Sequence, residues 1–226
     1  MKKLFVMSVL ACSVSTAMAA ETAVMKVQGT LTNAACTPSL SNGGVVDYGY
    51  IHLSELSATE INPLEEKTID LTISCTSPTK VAWDGLDNQS SSRPSPLLSV
   101  KNYDGNMTSS VTDFSYGMGE TDAGVKIGNY ALYVDTSPVA DGKSGTLIGR
   151  NTDWSADASW TDGVNGQRSD QMSWLTVATT GSLEPVAFTT ATFQLKVHAT
   201  LQDTTTLAIK DDTKINGQAT FTLHYL

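Results

Sequence analysis

Histidines, acids, tryptophans and cysteines are the residues of this 226-residue chain that lend themselves to chemistry. His52, His198 and His224 stand far apart and lack the spacing of a metal site. His198 and His224 fall on the polar faces of two strand candidates. They read as solvent-facing side chains unless those strands are neighbours and pair them across a sheet. Glu65-Glu66 and Asp211-Asp212 sit beside turns, where solvated loop ends explain them better than the paired acids of a glycosidase. Asp84-Gly85-Leu86-Asp87-Asn88 offers oxygen atoms, but not in the order of a calcium-binding helix–loop–helix. No nucleophile elbow, phosphate loop or dinucleotide fingerprint is present. The chain therefore reads as a protein that is not an enzyme and carries no metal and no cofactor. Trp154, Trp160 and Trp174, with Asp153, Asp157 and Asp162 among them, form an aromatic insert around residues 150–175. Such rings and acceptors suit a glycan, and long loops often carry function. A loop folded back so that its tryptophans cover one end of the fold explains the same residues.

The cysteines depend on how the chain begins. Met1-Lys2-Lys3, an apolar run from Leu4 to Ala11 and a closing Ala17-Met18-Ala19 follow the grammar of a secretory signal, residues 1–19. The apolar run is too short to span a bilayer, and no other stretch is long and apolar enough to do so. Lipoprotein processing at Cys12 is the competing reading and would need an unusually short signal. Removal of residues 1–19 takes Cys12 away and leaves Cys36 and Cys75, which in an exported protein are expected to form one disulfide. It also removes Lys2 and Lys3, so that 12 basic residues face 23 acids, a net charge of −11. That balance argues against nucleic acid or anionic lipid as a partner.

The elements that must position these residues are strands. Residues 23–31 read as a first strand, and residues 45–51 as a short one interrupted at Gly49. Residues 54–62 suit a single helical turn. In residues 67–74, Ile69, Leu71 and Ile73 alternate with polar side chains and deliver Cys75. Val81-Ala82-Trp83 is a strand fragment, and residues 84–96, rich in Asp, Asn, Ser and Pro, read as a surface loop. Residues 125–135 place Tyr130, Leu132 and Val134 on one face and Ala131 and Tyr133 on the other. Residues 138–149 read as turns and residues 172–179 as a strand. The cleanest alternation sets Phe193, Leu195, Val197, Ala199 and Leu201 against Thr192, Gln194, Lys196, His198 and Thr200, and residues 219–225 repeat that design. Many short strands, turn clusters between them and no sustained helical period indicate an all-β, immunoglobulin-like sandwich occupying residues 20–226 as a single domain.

Gly29, Leu31, Ala34, Cys36, Cys75, Phe221 and Tyr225 resemble the opening motif, second cysteine and terminal strand of chaperone–usher pilus subunits. A closer similarity is to the GltF-like periplasmic family, described as fimbrial-subunit-like. It rests on Ala35-Cys36-Thr37-Pro38, Gly44-Val45-Val46-Asp47-Tyr48-Gly49, Ile73-Ser74-Cys75-Thr76-Ser77-Pro78-Thr79, Lys126-Ile127-Gly128, Trp154-Ser155-Ala156, Thr180-Gly181-Ser182-Leu183-Glu184-Pro185-Val186 and Tyr225-Leu226. The resemblance implies a pilin-like sandwich that lacks its final strand. Its partner would be a periplasmic chaperone or another fimbrial subunit, facing Phe221, Leu223 and Tyr225, in the periplasm or on the cell surface. A donor strand of five or six residues barely fits into residues 20–28. The chain thus reads as an acceptor of strands, suited to a tip, terminal or free-standing place. The alternative is a free-standing periplasmic or surface module that binds a glycan through the tryptophan loop.

Overall fold

The computed structural model describes residues 25–28, 35–152 and 158–226. The signal reading, the Gly29–Leu31–Ala34 motif and Trp154 lie outside them. The chain divides into two units, Met1–Asn33 and Ala34–Leu226. In the first, residues 25–28 have no regular structure, in place of the expected strand, and Met25 and Val27 are exposed.

The second unit contains the strands β1 (Cys36–Leu40), β2 (Asn62–Pro63), β3 (Lys67–Thr79), β4 (Val81–Asp87), β5 (Val100–Lys101), β6 (Met107–Thr108) and β7 (Tyr116–Gly117). It continues with β8 (Gly128–Val134), β9 (Val139–Ala140), β10 (Lys143–Ser144), β11 (Thr146–Asn151), β12 (Ser173–Ala178), β13 (Phe188–Leu201) and β14 (Ala219–Tyr225). Two antiparallel sheets result. One runs β1-β3-β13-β8-β7, with β2 and the β9–β10 pair attached to β13. The other runs β11-β12-β4-β14, and β5 with β6 makes a separate hairpin. The protein is an all-β sandwich.

The period-2 pattern explains the core. Ile69, Leu71 and Ile73 of β3 and Phe193, Leu195 and Val197 of β13 turn inward against Val81 and Trp83 of β4 and Leu175 and Val177 of β12. Trp83 is fully buried and meets Phe193 edge-on at 5.5 Å and Phe221 at 5.6 Å. Complete burial of side chains of this size stabilises the fold by about 1.5–3 kcal/mol each.

Cys36 and Cys75 lie opposite each other across β1 and β3 and are joined by the expected disulfide. At the same place the Cys36 N–H donates to the Tyr225 hydroxyl over 2.9 Å. The first cysteine, the second cysteine and the terminal strand therefore meet at one corner of the sandwich.

Several expectations are corrected. Residues 45–51 form no strand, because the Asp47 carboxylate accepts the Gly49 N–H at 2.7 Å and Gly49 takes a left-handed conformation, φ 64°. The turn expected at 54–62 shrinks to the 3-10 segment Leu53–Glu55, and residues 62–63 pair with β13 as β2. The supposed surface loop from residue 84 begins as the second half of β4, with Asp84 and Asp87 buried. The turn region 138–149 contains the β9–β10 pair and the start of β11. One helical turn, Thr204–Leu207, goes unannounced by any helical period, and its N-cap is Asp203, whose carboxylate accepts the Thr206 N–H.

Candidate functional site

β14 is the last strand of its sheet and, among the described residues, pairs on one side only, with β4. The bonds at its two ends fix the phase of that pairing. The Asn88 N–H donates to the Gln218 carbonyl at 3.0 Å, and the Leu226 N–H to the Lys80 carbonyl at 3.1 Å. In an antiparallel ladder, opposed residues alternate between pairs that exchange hydrogen bonds and pairs that do not. Thr220, Thr222 and His224 therefore bond to β4. Ala219, Phe221, Leu223 and Tyr225 direct their N–H and C=O groups to the side on which no strand is paired among the described residues.

Beside that open edge runs a groove of about 410 Å³. Leu40 of β1, Ile69 of β3, Leu195 and Val197 of β13 and Phe221 of β14 supply its apolar lining, and Asn216 and Gln218 add polar groups. Tyr48 closes part of it. Burial pushes the Tyr48 phenol up to about 12, and its buried hydroxyl has no hydrogen-bond partner among the described residues. Phe221 lines the groove, Leu223 packs half-buried against the main core, and Tyr225, 55% exposed, is held by the Cys36 bond. The structure thus brings the three edge residues expected from sequence onto one strand, with their backbones on the open side.

The outer face of the same sheet carries an aromatic stack. The Arg150 guanidinium of β11 lies 4.9 Å from the Trp160 ring and 4.6 Å from the Trp174 ring of β12. Trp174 stacks at 4.1 Å on His224 of β14, whose Nε2 is 2.7 Å from the Asp84 carboxylate of β4. Asp84 also accepts from Gln171 at 3.3 Å. Burial raises the Asp84 pKa, and the hydrogen bond and charge of His224 offset part of that rise.

Residues 25–131 match a family described as a protein of unknown function, DUF1120. Over 89% of its length the chain is 32% identical to the protein GltF of Escherichia coli strain K12, and the match covers 87% of that protein. The chain belongs to the GltF-like family. It is also 27% identical to the uncharacterized protein YhcF of the same strain, over 93% of each chain.

In this GltF-like chain, Trp160 and Trp174 are the tryptophans of the insert that the described residues include. β11 neighbours β12 directly and β14 lies beyond β4, and Arg150 and His224 both lie against the Trp174 ring. Trp160 keeps one face free of Arg150. The described part of the insert after Trp160 runs along the sandwich: Thr161 bridges Gly149, Gly166 bridges Tyr133, and Asp170 bridges Leu86.

The histidine reading is corrected as well. His198 and His224 sit in different sheets and are no cross-strand pair. His198 is not solvent-facing but 2% exposed, because the β5–β6 hairpin covers its face of β13. Its ring lies 2.8 Å from the Lys101 carbonyl and 2.7 Å from the Glu66 carboxylate, so Glu66 serves as a histidine partner. Sequence reasoning missed Leu40, Ile69, Leu195 and Val197 as groove residues. Their alternation marked them as core, but nothing local distinguishes a core contact from the wall of an open groove.

Proposed function

We propose that this GltF-like chain is an exported, fimbrial-subunit-like structural or interaction protein. It pairs through the open edge of β14 with a strand from a periplasmic chaperone or from another subunit, in the periplasm or at the cell surface. The observation that carries the reading is the row of outward-facing backbone groups at Ala219, Phe221, Leu223 and Tyr225 beside a groove of mixed apolar and polar lining. An unpaired edge of this kind is a template for strand addition, in which main-chain bonds supply affinity and alternate side chains fill the groove. The 32% identity to GltF supports the family and leaves the activity to experiment.

The test uses the chain from Ala20 onward and a library of ten-residue peptides in which apolar and polar residues alternate. Alone, the protein is expected to aggregate at micromolar concentration. One or more peptides should keep it monomeric and raise its Tm by at least about 4 °C, a shift of roughly 1 kcal/mol or more. Ile215, on the groove wall and 37% exposed, gives the control, since Ile215→Asp should abolish the rescue. A chain that stays monomeric and thermally stable alone and responds to no peptide contradicts the proposal.

A further inference from the structure

A second concavity of about 400 Å³ lies on the opposite side of the β13–β8 sheet from the groove. Its floor is Ala131 and Tyr133, the residues of β8 that alternate with the inward-facing Leu132 and Val134. One wall is the β5–β6 hairpin with the segment 108–111 that follows it. The other is Phe114 and the segment 163–166, which runs beside β8 through the Val134 N–H bond to the Asn165 carbonyl at 2.7 Å and the Tyr133–Gly166 bridge.

The chemistry of this lining is specific. Phe114 and Tyr133 supply aromatic surface, and Val111, 56% exposed, adds an apolar side chain at the rim that the core does not use. No Asp, Glu, Lys, Arg or His lines the cavity among the described residues. The polar groups are amides and hydroxyls with spare hydrogen-bonding capacity. Asn102 is fixed by its Oδ1, which accepts the N–H groups of Asp104 at 3.1 Å and Asn106 at 2.9 Å, and this leaves its Nδ2 unengaged. Ser109 is exposed and Asn165 and Tyr133 are half-buried, so their polar groups stand in the lining with access to a ligand. Small-molecule sites pair apolar and aromatic walls with a few placed polar groups, in volumes of about 300–1,000 Å³.

We infer that this cavity is a binding site for a neutral saccharide. The apolar faces of a sugar ring pack on Phe114, Tyr133 and Val111, while its hydroxyls exchange bonds with Asn102, Ser109 and Asn165. The lining itself supplies no counter-charge, and the Arg168 guanidinium, 5.9 Å from the Phe114 ring, is already paired with Asp170 and Asp113, so a charged ligand would meet a desolvation cost that a neutral polyol escapes. The site is separate from the β14 groove and from the Trp160–Trp174 stack, so it stands or falls independently of the proposed strand pairing.

The experiment screens the chain from Ala20 onward on an array of neutral and acidic glycans and measures hits by titration calorimetry. A neutral glycan is expected to bind, with Val111→Asp weakening it about tenfold or more and Ser109→Trp, which fills the cavity, abolishing it. Both positions are exposed, and circular dichroism of the variants should match the parent. Trp160→Ala should leave the affinity unchanged. The inference is overturned if no neutral glycan binds, if acidic glycans bind in preference, if Ser109→Trp binds as the parent does, or if Trp160→Ala removes binding.

Discussion

Asp141 illustrates how single residues hold corners of this fold. Its carboxylate accepts the Thr189 hydroxyl at 2.6 Å, the Thr190 N–H at 2.9 Å and the Thr189 N–H at 3.0 Å. The Thr189 side-chain bond, followed by the Thr190 backbone bond, holds its carboxyl below the usual carboxylate range. In acid the native state then binds fewer protons than the unfolded chain. The stability Asp141 contributes is complete above the ordinary carboxylate value and is lost as pH falls through the depressed one. In urea titrations from pH 6 to pH 2, Asp141→Asn is expected to show a shallower acid loss of stability than the parent, and an unchanged slope would refute this. Asp84 and Asp87 act with the opposite sign, because burial raises both and their ionised forms weigh against folding as pH rises through that window. None of these roles was legible in the sequence. Asp and Gly at residues 84–87 read as a loop because the partners that make a buried strand tolerable, His224, Gln171 and Gly117, come from distant parts of the chain.

At the scale of elements, legibility follows the sheets. β13 alternates so cleanly because it runs through the middle of its sheet, between β3 on one side and β8 and β9 on the other. β14 keeps the same alternation at an edge, so Phe221, Leu223 and Tyr225 were recognisable together. The period of two places their side chains but says nothing of which backbone groups lack a partner, and that required the register against β4. Residues 45–51 depart from the strand that their pattern suggests because Asp47 and Gly49 close a local turn that outweighs the valines before them. The β1–β3 disulfide, with a sequence separation of 39, was legible from cysteine count alone. By loop entropy it stabilises the unit by about 4 kcal/mol. Reduction should lower the urea-extrapolated stability by that order, whereas a loss below about 1 kcal/mol would mean that the Tyr225 bond and β1–β3 pairing hold the corner unaided.

At the scale of the whole unit Ala34–Leu226, β1 and β14 are end strands of their respective sheets. Leu40 and Phe221 face the same groove from those two strands, and the Tyr225–Cys36 bond ties them at one end only. The groove is assembled from segments spread between residues 40 and 221, which is why composition and periodicity could indicate a sandwich without locating its opening. The described residues contain no helix long and apolar enough to cross a membrane. The measurement that tests the account most directly is amide hydrogen exchange along β14 in the isolated chain, held below the micromolar concentration at which it is expected to aggregate and read residue by residue by mass spectrometry with electron-transfer fragmentation. The amides of Phe221, Leu223 and Tyr225 should exchange rapidly and those of Thr220, Thr222 and His224 slowly, with the fast set becoming protected when a strand-forming peptide is bound. Uniform protection of all six amides in the isolated chain would mean that the edge is already covered, and would contradict the open-edge account.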